Sequence, residues 1–342
     1  MLDCARFVAA LGVVWVHTIE SPQFARWGVL GTFGVPFYVC VALFMIRRTL
    51  AKNPALPLPK YYLQRFTRLY IPFLFWTVIY LGAISFKHHF ISNQPIKPLD
   101  VGILLGGSAY QLWFLPFLLL VTIPIAPLYR VTLAFPKIGS IVVLLTAALG
   151  TIWAFWPRPD WLNHVQDSDL FFFVAWKAGP SVFCGFAMAH FLSRMSKEAL
   201  TMSGLAGIGF FLTLASLGNQ VVLGYSRFDR TLSGLGWFLL TFAPLRSKII
   251  LVLGRFGRHS YGIYLSHALF VEGFQMMFHR KGWQVSPQLD LAVFALAIIS
   301  STLLTMFASR YTIPALLFGE PPRKTSPPRL NVSGRNVLLQ VP

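Results

Sequence analysis

Four stretches of this chain hold side chains that a lipid environment tolerates poorly. In RFVAALGVVWVHTIESP, residues 6 to 22, Arg6 and His17 stand eleven residues apart in an oily run. On a helix that is a rise of about 16 Å and just over three turns. The two side chains then share a face at different depths, a cation near one surface and a titratable base further in. An ionisable group at membrane depth faces the bundle interior or a watery path. A neutral imidazole there can take a proton from a hydroxyl. A surface anchor plus an interfacial histidine fits the same spacing.

The second stretch is KYYLQRFTRLYIPFLFW, residues 60 to 76, where Arg65 and Arg68 lie one turn apart on one face. Guanidinium groups grip phosphate oxygens bidentately, although simple anchoring gives the same pattern. Pro72 follows where a helix could kink. The third is RHSYGIYLSHALFVEGF, residues 258 to 274. Its Ser260, Tyr264 and His267 share a helical face, with Glu272 further along and in need of a partner or a proton. A structural polar seam between helices is the bland account. The fourth is YQLWFLPFLLL, residues 110 to 120, where Gln111 could donate to a substrate and Trp113 is expected near the outer interface, as an aromatic belt would place it.

The elements that must position these groups are membrane helices. The 342 residues are 56% hydrophobic and 12% charged, where a soluble domain has about a quarter charged. We expect an all-α polytopic membrane protein of about ten spans, near 5–20, 28–46, 67–85, 111–129, 138–156, 171–192, 203–223, 232–250, 259–278 and 289–313. The eighth contains Pro244, Arg246 and Lys248, which would leave it short or broken. Gly31, Gly34 and Pro36 suggest close packing or a bend in the second. The N-terminal run lacks a convincing cleavage site and is read as a retained helix.

The formal charge of +18 comes from 29 Lys plus Arg against 11 Asp plus Glu. These cations sit in short gaps between apolar runs, which suits the positive-inside rule rather than nucleic acid. With both termini cytoplasmic, the inner gaps outweigh the outer ones by more than two to one. The expected organisation is a membrane domain over 1–318 and a cytoplasmic Pro/Arg-rich tail over 319–342, with no appended soluble domain. Cys4, Cys40 and Cys184 show no paired spacing. His88 and His89 lack a third ligand at a metal-like distance, so no metal is implied. No phosphate-binding glycine loop is present, which argues against ATP-driven transport.

Together the four stretches resemble the membrane acyltransferase-3 family of bacterial O-acyltransferases, which have about ten core helices. Its opening pattern, LDxLRxxAxxxVxxxH, is matched by LDCARFVAALGVVWVH, which carries the family's arginine and histidine to Arg6 and His17. Its arginine pair falls on Arg65 and Arg68, its LWFL on Leu112 to Leu115, and its SYGIYLxH on Ser260 to His267. One departure stands out. The family's FFxxSGF is replaced by FYVCVALF, with Val41 and Ala42 where serine and glycine usually sit. The hydrolase-like domain fused to some relatives has no counterpart in these residues, and the expectation is a stand-alone membrane domain.

The resemblance implies transfer of an acyl group, acetyl by default, from cytosolic acyl-CoA to a hydroxyl of a glycan or lipid-linked sugar at the bacterial inner membrane. It implies CoA phosphates at Arg65, Arg68 and Arg6, and catalysis by His17, Arg6 and His267. His17 is then the general base, with a transient acyl-histidine as a variant. Trp113, Gln111, Ser260, Tyr261, Tyr264 and Glu272 would shape the substrate site, and Trp113, Tyr261, Tyr264 and His267 are oxyanion-donor candidates. The expected partners are membrane lipids, acyl-CoA and the sugar acceptor, with no nucleic acid. Oligomeric state stays open. A transporter or flippase, and a non-catalytic scaffold, are the competing classes.

Overall fold

The computed structural model describes residues 1–89, 100–157, 159, 170–195, 203–243 and 247–319. Among these the regular structure is all helical. In chain order the helices are α1 (Leu2–Thr18), α2 (Pro22–Ala25), α3 (Gly34–Lys52), α4 (Leu58–Lys87), α5 (Ile103–Gly106), α6 (Phe114–Ala134) and α7 (Pro136–Phe155). They continue with α8 (Leu170–Leu192), α9 (Ser203–Leu223), α10 (Arg227–Leu240), α11 (Lys248–Gly257), α12 (Ser260–Arg280), α13 (Pro287–Ala308) and α14 (Thr312–Leu317). A 3-10 turn, Arg26–Gly31, leads into α3.

Seven helical stretches among the described residues are long and apolar enough to cross a membrane. The chain is a polytopic helical membrane protein. Three expected spans fall outside that set, each for its own reason. Helix α1 has only 17 residues, and α12 is made less apolar by His267, Glu272 and Gln275. The eighth expected span is indeed not continuous, since α10 stops at Leu240 and α11 begins anew at Lys248. The second starts later than expected because Arg26–Gly31 winds as a 3-10 turn before the α-helix begins. Helix α4 is longer than expected, at 30 residues, and carries Pro72 inside it. The last expected span ends at Ala308 rather than 313, and α14 follows. The tail from 320 onward and Arg246 lie outside the described residues.

Local chemistry sets several of the boundaries. Ser226, Ser247 and Ser286 each accept a backbone N–H of the helix that follows, and Pro287 fills the first turn of α13. Outward residues such as Leu144, Phe211 and Leu303 are exposed and apolar, as a lipid-facing surface requires.

Helix α1 is the element around which the polar residues gather. It packs against α3, α11, α12, α13 and the 3-10 turn. Two contacts bring backbones together where no side chain fits. A Cβ at Gly31 would lie 2.0 Å from the Gly12 carbonyl oxygen, and one at Gly257 only 1.7 Å from that of Asp3. Small residues permit such approaches between membrane helices. The far end of α1 is pinned by Asp290, which is 1% exposed. Its carboxylate accepts the backbone N–H groups of Glu20 and Ser21 at 3.2 and 3.1 Å, and the Ser21 hydroxyl as well.

Candidate active site

The N-terminal end of α1 opens on a cavity of about 440 Å³ walled by α1, α3, α4, α6 and α12. Arg6, Arg65, Arg68 and Arg258 line it, and among the described residues Asp3 is the only acid in its wall. Asp3 is already engaged, accepting from Arg6 at 3.2 Å. Four guanidinium groups against one carboxylate leave a strongly positive field in a confined space. The arginines are held from the side. Arg65 Nε donates to the Tyr61 hydroxyl at 2.9 Å, with its guanidinium 5.5 Å from that ring. Tyr261 donates to the Arg68 carbonyl at 3.4 Å. Tyr38, also in the wall, donates to the Arg6 carbonyl at 2.6 Å. The opposite wall is apolar and includes Val41, Ala42 and Met45. The two positions that depart from the usual serine and glycine therefore face the cavity.

Ser260 and Tyr264, two members of the face expected from spacing, line the same cavity, and Tyr261 joins them. His17 and His267 do not. They form a separate pair deeper in the bundle, with ring centroids 5.5 Å apart. The Tyr110 ring lies 4.4 Å from His17. His267 is fully buried. Its Nδ1 lies 2.7 Å from the Tyr264 carbonyl oxygen. A carbonyl can only accept, so Nδ1 carries the hydrogen. In the neutral ring Nε2 then holds a free lone pair, and it has no hydrogen-bond partner. Geometry thus fixes the tautomer that a proton acceptor needs.

Tyr264 stands between the two compartments. Its ring centroid is 6.0 Å from that of His267, and its hydroxyl donates to the Gln111 backbone carbonyl. Gln111 belongs to the non-helical stretch between α5 and α6, which turns at Gly107 with φ of 76°. Irregular backbone inside a membrane protein is tolerated where it is buried in protein or lines a cavity. The Gln111 side chain is 2% exposed, neither its amide nitrogen nor its oxygen makes a hydrogen bond of normal geometry, and the Tyr80 hydroxyl is its polar neighbour. Such an orphaned amide can serve a substrate.

Other expected residues sit differently. Trp113 is not at an interface. It is buried in the largest core cluster, packed on Phe114 and Phe117, because the turn before α6 folds inward. Glu272 is half-buried, and the charge of Lys87 acts on it. Tyr38, Tyr110 and Arg258 were not singled out from sequence. A lone tyrosine in an apolar helix and an arginine two residues before Ser260 of SYGIYLSH are the available signals. Among the described residues no group of His, Cys, Asp and Glu is arranged to hold a metal ion.

A family model described as an acyltransferase domain matches residues 1–310. No curated protein and no solved structure matches the chain.

Proposed function

The chain belongs to the acyltransferase-3 family, and we propose that it moves an acyl group, acetyl by default, from acyl-CoA to a hydroxyl of a glycan or lipid-linked sugar. The carrying observation is the buried His267 Nε2, free of any partner and paired with His17, beyond a cavity lined by four arginines. In this reading the arginine-lined end faces the cytoplasm of a bacterial inner membrane. Arg65, Arg68 and Arg6, joined by Arg258, take the phosphates of CoA by charge-assisted hydrogen bonds. The pantetheine arm runs along α1, and about 16 Å of helix rise separates Arg6 from His17.

The histidine pair then supplies the base. One imidazole removes the proton of the acceptor hydroxyl as its oxygen attacks the thioester carbonyl. The C–S bond breaks, the ester C–O bond is complete, and the departing thiolate takes the proton back from the imidazolium. His267 has the fixed tautomer, and His17 lies against Tyr110. Tyr264 must yield for the thioester to reach the pair, because its hydroxyl ties the partition to Gln111. The Gln111 amide is then placed to bond the acceptor.

The test uses purified protein in detergent or vesicles, labelled acetyl-CoA and a crude membrane-glycan fraction. Label should pass to the glycan and should be lost in His17→Ala and His267→Ala proteins. Transfer that survives both substitutions would remove the histidine pair from the reaction. Substrate flux without consumption of acyl-CoA would indicate a transporter, and neither binding nor transfer a scaffold.

A further inference from the structure

A second basic cluster lies apart from the arginine-lined cavity, where the C-terminal ends of α3, α6 and α8 meet the start of α7. Arg47 is 4% exposed. Its Nε donates to Ser193 Oγ and its Nη1 to Thr132 Oγ1 at 3.3 Å. Both hydroxyls spend their own hydrogens on backbone carbonyls, Ser193 on His190 and Thr132 on Tyr129. The guanidinium lies 5.6 Å from the Tyr129 ring. No described carboxylate pairs with it. A buried cation is normally retained only with a counter-charge, and here neutral groups hold it.

Beside it, His190 is 3% exposed, and both its ring nitrogens lack a partner. Whatever its protonation state, an imidazole has at least one N–H to donate. Arg47 and Arg194 are the charges that act on it. Arg194 reaches across to α7, donating to Ser140 Oγ at 3.3 Å and to the Pro136 carbonyl at 3.4 Å. Among the described residues, two guanidinium groups and an unpartnered buried imidazole gather here without a carboxylate hydrogen-bonded to any of them.

The surroundings suggest the kind of anion. Phe135, Ile138 and Phe191 flank the cluster and are exposed apolar residues at 57, 49 and 62%. A phosphate with hydrocarbon attached would satisfy the polar cluster and this flank together. We propose that Arg47, His190 and Arg194 form a binding site for a phosphate group, separate from the acyl-transfer site. An anionic phospholipid headgroup and free phosphate are the two sources of that chemistry.

Native mass spectrometry of the full chain in detergent separates them, with dioleoylphosphatidylglycerol, dioleoylphosphatidylcholine and inorganic phosphate as probes. Choline carries a cation that would face the arginines. The wild-type protein should retain phosphatidylglycerol about tenfold more tightly than phosphatidylcholine, and His190→Phe or Arg194→Gln should abolish that preference. Arg194 is exposed, so its variant keeps the test valid if changes at Arg47 or His190 prevent folding. Retention of inorganic phosphate with the same dependence on these residues, without a lipid preference, would support the site and assign it to a soluble source. A wild-type protein that binds no phosphate and does not distinguish the lipids would overturn the proposal. So would a preference that both variants keep.

Discussion

Replacing His17 and His267 by alanine, singly and together, tests whether the two rings act as one device. Their centroids are 5.5 Å apart, too close for either to be changed without altering the other's surroundings. A general base contributes about 10²–10⁴-fold to a rate, or about 2.7–5.4 kcal/mol of barrier. Each single variant should lose that much of kcat. Groups that work as a unit are strongly non-additive. The double variant should therefore lose about the same 10²–10⁴-fold, where independent action would multiply the losses to about 10⁴–10⁸-fold. Acyl-CoA thiol release at saturating donor and acceptor is the assay, beside thermal unfolding in the same detergent. His267→Ala also removes the donor to the Tyr264 carbonyl, which costs about 1–3 kcal/mol of stability when a buried acceptor loses its partner. Rates should be taken below the unfolding onset of each variant. Single variants that both keep kcat within about threefold, a loss well short of that expected of a base, would refute the histidine mechanism. Fully multiplicative losses would refute the pairing.

Arg65→Ala and Arg68→Ala should each raise the KM for acyl-CoA about tenfold to a hundredfold with little change in kcat, since a charge-assisted hydrogen bond is worth about 1.5–3 kcal/mol. Initial-rate kinetics check this, and lysine should restore only part of the loss because it lacks the planar fork. Tyr264→Phe removes the hydroxyl that closes the partition onto Gln111. Its expected signature is acyl-CoA hydrolysis without acceptor, with a lower unfolding temperature, measured by thiol release and calorimetry. Gly257→Ala would place a methyl 1.7 Å from the Asp3 carbonyl oxygen, so α1 must shift. Overpacking of this kind costs about 1–3 kcal/mol, visible as a fall in unfolding temperature and a raised KM for acyl-CoA as Arg6 moves.

The membrane class was legible from composition and from apolar run lengths, because a helix must satisfy its own backbone wherever lipid surrounds it. The broken eighth span was legible for the same reason, from Pro244 and the cations after it. The helical face shared by Ser260, Tyr264 and His267 followed from spacing, as did Arg65 beside Arg68. Depth and neighbours did not. Trp113 and Gln111 lie two residues apart in an unremarkable turn, and only the inward fold of that turn buries both. Arg258 and Tyr38 reach the same cavity as Arg6 from distant parts of the chain, and one-dimensional spacing cannot report such convergence. The same holds for Arg47 and His190, which read as an ordinary boundary arginine and a helix-end histidine until packing buries the first among neutral groups, with no described carboxylate paired to it, and leaves both ring nitrogens of the second without a partner. Sequence set which residues could be charged or titratable within the bilayer. Tertiary packing decided which of them meet, because contact between helices depends on close backbone approaches such as Gly31 on Gly12, and these fix rotation and depth together.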